Sequence, residues 1–230
     1  MGKIHIIGTG PGSPDYVLPA ARKIVQATEV IIGTQRSLSL FKEDINAKSV
    51  SLTAENLKEV LQYAYECAKK GKTVAILSTG DPGFSGLLKS FLNNIPIQDV
   101  EVEVVPGISA IQVCAARLGM SWDDAGLLTF HDTVTAAKKL ALLEYAKAHK
   151  DIMVFPNQKK FTCENISNYL LENGLTKNTR VLICENLTLP EENIVEMTLE
   201  KVSKQTFSPL CVMVIMCSSI KSKSSNQNIQ

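Results

Sequence analysis

An α/β protein of two α/β domains is what this sequence predicts, on three observations. Short apolar runs rich in β-branched residues alternate with segments of helical periodicity through the first half, the pattern of a mostly parallel sheet covered by helices. Three of those runs end in glycine, proline and hydroxyl residues: GTGPG at Gly8–Gly12, STGDPGFSG at Ser78–Gly86 and PGISA at Pro106–Ala110. After Gly119 the pattern breaks, and two late strands follow without an intervening helix, which predicts mixed pairing in a second sheet. The expected domains are 1–118, carrying the glycine loops, and 119–222, with the mixed sheet; residues 223–230 read as a disordered tail of polar, aperiodic composition.

Each element has its own signal. Lys3–Ile7 is the first strand, and Tyr16–Ala27 places Val17, Leu18, Ala21, Ile24 and Val25 on one helical face, with Pro19 in its first turn. Glu29–Ile32 is the second strand. Thr53–Lys70 is the clearest helix, with Thr53 as N-cap, two lysines in its last turn and Gly71 as its stop. The strands Thr73–Leu77 and Val102–Val105 lead into short helices at Phe84–Phe91 and Ser109–Leu118, the latter capped by Ser109. Beyond the break come strands at Leu127–Phe130, Ile152–Phe155, Arg180–Cys184, Asn193–Leu199 and Leu210–Cys217, with helices at Thr135–His149 and Cys163–Leu171.

Composition narrows the function classes. The net charge of +1 and scattered lysines argue against nucleic acid or an acidic membrane surface as partner. Six cysteines, at 67, 114, 163, 184, 211 and 217, contain no C-x-x-C pair, so buried free thiols in a reducing cytosol are expected. Three histidines, at 5, 131 and 149, offer no pair at helical spacing, and no metal site is expected. No signal peptide precedes the first strand and no apolar run approaches membrane length, which reads as a cytoplasmic protein.

GTGPG behind a strand marks a binding edge, because glycine lets a ligand approach the backbone without meeting a Cβ. It matches neither common nucleotide loop. The third glycine comes one residue early for G-x-G-x-x-G, the next strand lacks the terminal acid that holds a ribose, and no Lys-Ser/Thr pair follows as in a P-loop. A plain strand-to-helix turn is the alternative for any one loop. Three such loops at the carboxyl ends of parallel strands converge on one crevice.

Read together, GTGPG, STGDPGFSG and VVPGISA resemble the tetrapyrrole methylases, a family of S-adenosylmethionine-dependent enzymes. The resemblance covers nearly the whole chain. Four details look like the cobalamin-pathway branch that methylates carbon 5 of precorrin-7 or cobalt-precorrin-7: GTQRSL at Gly33–Leu38, ARLGMSWDDA at Ala116–Ala125, His131, and ENLTLPEE at Glu185–Glu192. Two departures stand out: Asp132 and Thr133 follow His131 where relatives carry Gly-Arg, and Pro156 stands where some carry a methionine.

The resemblance implies the tetrapyrrole methylase fold, with the methyl donor folded in a cleft between the domains and the macrocycle over it. Pro11, Gly80, Asp81, Phe84, Ser109 and Ala110 are the candidate donor contacts, and Gly10, Arg36 and His131 the candidate substrate contacts. Asp81 has an alternative as a helix N-cap, Phe84 as core, and His131 as a hydrogen-bonded strand-end histidine rather than a catalytic assistant. Arg36 is the first choice for a substrate carboxylate, while Arg117 reads equally as a binder of helix carbonyls. A homodimer and a separate carbon-15 methylating and decarboxylating enzyme are the implied partners. The rivals are a same-fold methylase acting on another tetrapyrrole, a translation factor or ribosomal RNA, and a non-catalytic nucleotide-binding module.

Overall fold

The computed structural model describes residues 2–218 apart from 45, 46 and 97, so the expected tail at 223–230 lies outside the described residues. The chain divides into two compact units. The first runs to Met120 and includes Asn186–Glu192; the second takes Ser121–Glu185 and the chain from Asn193 on.

In the first unit β1 (Lys3–Gly8), β2 (Val30–Gly33), β3 (Lys48–Ser51), β4 (Thr73–Ser78) and β5 (Glu101–Val105) form one sheet in the order β3-β2-β4-β1-β5. Every pairing in it is parallel. The central strands are continuous apolar runs because both faces are covered. Ile4, Ile6, Val74 and Ile76 pack on one side with α3 (Leu57–Lys69) and Phe91 of α4 (Leu88–Asn94). Ile7, Ile31, Ala75 and Leu77 pack on the other with α1 (Pro19–Gln26) and Phe41. Lys3 of β1 bridges Glu101 at 2.7 Å and Glu103 at 2.8 Å on the neighbouring edge strand β5.

Several boundaries move for local reasons. The first helix starts at Pro19, not Tyr16, because a proline disfavours helical geometry in the residue before it; Leu18 is extended and Pro14–Tyr16 forms a separate 3-10 turn. The Thr53 helix starts at Leu57, since Thr53 and Asn56 exchange backbone-to-side-chain hydrogen bonds in a turn ahead of it. The helix expected from Phe84 starts only at Leu88, since Ser85 has φ +60° and the Leu87 N–H is taken by the Ser78 hydroxyl at 3.1 Å. Ser109 does cap α5 (Ala110–Leu118), in a reciprocal box with Gln112. Two short elements carried no clear sequence signal: α2 (Gln35–Ser39) and β3.

The second unit holds β6 (Gly126–Thr129), β7 (Ile152–Phe155), β8 (Arg180–Glu185), β9 (Asn193–Thr198) and β10 (Cys211–Met216), in the order β6-β7-β10-β8-β9. Only β6 and β7 run parallel; the other pairings are antiparallel, as the missing crossover required. The helices α6 (Ala136–Lys147) and α7 (Cys163–Glu172) contribute Leu142, Ile166 and Leu170 to its core. A short helix, α8 (Leu199–Val202), does intervene between β9 and β10; Thr198 caps it and Leu199 and Val202 are buried. All six cysteines are free thiols, four of them buried. No helix among the described residues is long and apolar enough to cross a membrane.

The tightest point of the first unit lies where β1 and β5 end. A Cβ added to Gly107 would stand 2.2 Å from Gly80 O and 2.6 Å from Gly8 Cα, all backbone. Gly107→Ala is therefore expected to destabilise the protein by about 3 kcal/mol or more, as severe overpacking does. That amounts to a Tm lower by roughly 6–12 °C for a chain of this size, which calorimetry checks.

Candidate functional site

Because β1 lies between β4 and β5, the loops that follow these three strands begin side by side. Their backbones touch. The Thr9 N–H donates to Ser78 O at 2.9 Å, and Gly10 and Gly80 form an isolated bridge, with Gly80 N–H donating to Gly10 O at 2.8 Å. Gly10 and Gly80 hold φ of +77° and +70°, the left-handed region that glycine enters without strain. The Cβ position of Gly80 is open, its nearest neighbour being Ser109 Cα at 3.9 Å. The edge is thus lined by main chain from three loops.

Asp81 fastens two of those loops together. Its Oδ1 accepts the Gly83 N–H at 2.8 Å within its own turn, and its Oδ2 accepts the Gly107 N–H at 3.1 Å in the next loop. It is not a helix cap: α4 begins at Leu88 and has no side-chain cap. Phe84 is half-buried in the same turn. Ser109 is buried; its hydroxyl accepts the Ile111 N–H at 3.3 Å while its own N–H donates to Gln112 Oε1 at 2.7 Å. Ala110 is the first residue of α5.

Arg36 stands over the first loop from α2, whose N-cap Thr34 accepts the Ser37 N–H at 3.1 Å. Its Nη2 donates to the Pro11 carbonyl. Burial lowers its pKa from the ordinary value, and no neighbouring charge offsets that cost; among the described residues no carboxylate pairs with it. Arg117, by contrast, is already committed, to Glu192 at 2.7 Å rather than to helix carbonyls.

His131 follows β6 in the second unit. Its Nδ1 lies 3.1 Å from Asp132 Oδ1, and that hydrogen bond raises its pKa against the opposing effect of burial. Asn157 Nδ2 donates to the His131 carbonyl at 2.9 Å and to Phe130 O at 3.1 Å, fixing the strand end. Gly10, Pro11, Arg36, Gly80, Asp81, Phe84, Ser109 and Ala110 are gathered on one edge of the first sheet; His131 is not part of that unit. Among the described residues no three His, Cys, Asp or Glu side chains are grouped to hold a metal ion.

Sequence reasoning missed the residues of the Asn186–Glu192 loop, which falls inside the range expected for the second domain yet packs with the first unit. Thr188 Oγ1 accepts the Ser13 N–H at 3.1 Å, and the Leu189 side chain would lie 2.8 Å from a Cβ on Gly12. No local pattern announces contacts across 175 residues. The one signal was the ENLTLPEE segment itself.

A family model described as tetrapyrrole (corrin/porphyrin) methylases matches residues 3–203. The chain is 37% identical, over 92% of its length and 96% of the relative's, to the probable cobalt-precorrin-7 C(5)-methyltransferase of Methanocaldococcus jannaschii. Among solved structures it resembles the cobalamin biosynthesis precorrin-6Y methylase of Archaeoglobus fulgidus, with TM-score 0.72, 24% identity and coverage of 93% of this chain and 96% of that one. It also resembles a uroporphyrin-III C-methyl transferase from Thermus thermophilus complexed with S-adenyl homocysteine, with TM-score 0.72, 19% identity and coverage of 93% and 91%. At those identities the two structures speak for the fold, while the matched family model and the archaeal relative speak for descent. The chain belongs to the tetrapyrrole methylases.

Proposed function

We propose that this protein transfers a methyl group from S-adenosylmethionine to carbon 5 of a precorrin-7-type macrocycle, with or without cobalt in the ring. The observation that carries the reaction class is the joining of three glycine loops into one main-chain edge beside an arginine that has no carboxylate partner among the described residues. The choice of carbon 5 rests on the similarity to the Methanocaldococcus jannaschii protein.

The residues fit the donor. Gly80 leaves space at its Cβ position, and Pro11, Asp81, Phe84, Ser109 and Ala110 offer main-chain and side-chain groups to the donor, while Gly10 faces the macrocycle as a substrate contact. Asp81 works chiefly by holding the second and third loops in register through Gly83 and Gly107. S-adenosylmethionine supplies a sulfonium methyl, a carbon already bonded to a good leaving group. The protein then has to align rather than activate, and correct alignment accounts for about 7 kcal/mol or more of barrier reduction.

The macrocycle carries acetate and propionate groups, and carboxylates leaving water need charged partners. Arg36 serves this role: it is half-buried, positioned on the Pro11 carbonyl and, among the described residues, free of a competing acid. His131, held by Asp132, is a second contact and the candidate proton acceptor when the macrocycle loses a proton. A separate carbon-15 methylating and decarboxylating enzyme is the partner in this reading. A cytoplasmic homodimer completes the reading.

Incubation with S-adenosylmethionine and a series of corrin precursors, followed by mass spectrometry, is expected to add one methyl to precorrin-7 or its cobalt form. Transfer to an earlier tetrapyrrole instead would support the same-fold rival, and failure to bind S-adenosylhomocysteine in calorimetry would remove the methylase reading. Arg36→Ala is expected to raise KM for the macrocycle by about 10- to 100-fold, the loss of one charge-assisted hydrogen bond, with donor affinity kept. NMR titration of His131 is expected to give a pKa above 6.5, and Asp132→Asn to lower it. Since the folded pKa is the raised one, whatever stability the pair adds is fully present below the unfolded pKa of about 6.5. It is lost as pH rises through the folded value.

A further inference from the structure

The Asn186–Glu192 loop has no part in the chemistry proposed above, yet it is built at a cost. Thr188 has φ +70°, and a β-branched residue there is strained because its Cβ substituents crowd the backbone. Strain of that kind persists only where surrounding contacts over-determine it, and it collects at working parts of a protein. Here the contacts are explicit. The Thr188 N–H donates to Glu192 Oε2 at 2.7 Å, and Glu192 Oε1 in turn accepts from Arg117 Nε of α5 at 2.7 Å. With its backbone held in this way, Thr188 presents its hydroxyl to the Ser13 N–H at 3.1 Å.

Ser13 directly follows the first glycine loop. On the other side of that loop, Gly12 is enclosed between Arg36 and Leu189: a Cβ there would lie 2.8 Å from Arg36 Nη2 and 2.8 Å from Leu189 Cδ2. Arg36 rests on the Pro11 carbonyl. A chain of contacts therefore runs from α5, behind the third loop, through Arg117, Glu192 and Thr188 to Ser13, and so to the seat of Arg36. Within the unit, it links the ends of the first and third loops by a route separate from the Asp81 bond.

We propose that Asn186–Glu192 is a positioning strap, with Thr188 as the positioning residue: its hydroxyl fixes Ser13 and with it the height of Pro11 and the Arg36 guanidinium. The functional half of this inference rests on the reading of Arg36 as the contact for a substrate carboxylate. Thr188 acts through the loop it anchors.

Three substitutions separate hydroxyl from backbone shape. Thr188→Val keeps the β-branch and the strain but leaves the Ser13 N–H without its acceptor; Thr188→Gly relieves the strain and also lacks the hydroxyl; Thr188→Ser keeps the hydroxyl. The Val and Gly variants are expected to raise KM for the macrocycle by about threefold to tenfold, the worth of one hydrogen bond. In both, kcat should change little, and Ser should restore the wild-type KM. Amide hydrogen exchange in a peptide spanning residues 9–16 should quicken in Val and Gly and not in Ser. A Gly variant with wild-type exchange and KM would overturn the proposal, because the strap would then supply backbone shape alone. Faster exchange with unchanged KM would reduce Thr188 to a structural contact and overturn the positioning role. If the wild type methylates no corrin precursor, the proposed function fails, while the exchange comparison, which needs no substrate, still decides whether Thr188 holds the loop.

Discussion

The backbone contact between Gly8, Gly80 and Gly107 is the constraint on which the rest depends. Cβ atoms at Gly8 and Gly107 would come within 2.2–2.8 Å of main-chain atoms of the neighbouring loops, closer than any packing tolerates. Side chains can rotate out of a clash; main chain cannot. Because these three strand ends lack side chains, the loops stack directly and present peptide groups instead of side chains to whatever binds there. The sheet order does the rest, since β1 between β4 and β5 makes the three loops neighbours by topology.

Once the backbones are that close, their polar groups must be satisfied. Gly10 and Gly80 satisfy each other, while Asp81 takes up Gly83 and Gly107. A carboxylate accepting two main-chain N–H groups is a strong fixed point, stronger than the single hydroxyl that anchors Ser13. The third loop is thus held to the second by the Asp81–Gly107 bond, and the first is held by its bridge to Gly80 and by contacts on both flanks, from Arg36 and from Thr188.

What the amino-acid order made legible was local. Glycine at a strand end, Ser109 as the cap of α5, and the unbroken apolar β4 each have a physical cause within a few residues, and the parallel sheet follows from them. The start of α4 was not legible in this way. Its first turn is undone by Ser85 at positive φ and by the Ser78 hydroxyl taking the Leu87 N–H, a contact set by the fold. Arg36 was found because it lies just past a strand end, a place defined by sequence. Thr188 and Glu192 were not, because their partners Ser13 and Arg117 lie 175 and 75 residues away. The role of Asp81 fell between: the GDP turn was visible, but its bond to Gly107 becomes apparent only when β4 and β5 flank β1. Membership of the tetrapyrrole methylases, read first from three loops, is borne out by the family model and the archaeal relative.

The charged flank of β5 has a consequence of its own. This strand closes the first sheet, so one row of its amide and carbonyl groups has no neighbouring strand. Such a row is a template for another chain to add to, and native proteins blunt it with charge. Glu101 and Glu103, tied to Lys3 on the adjoining strand β1, make this edge strand a charged one. An edge strand charged in this way is a poor template for strand addition.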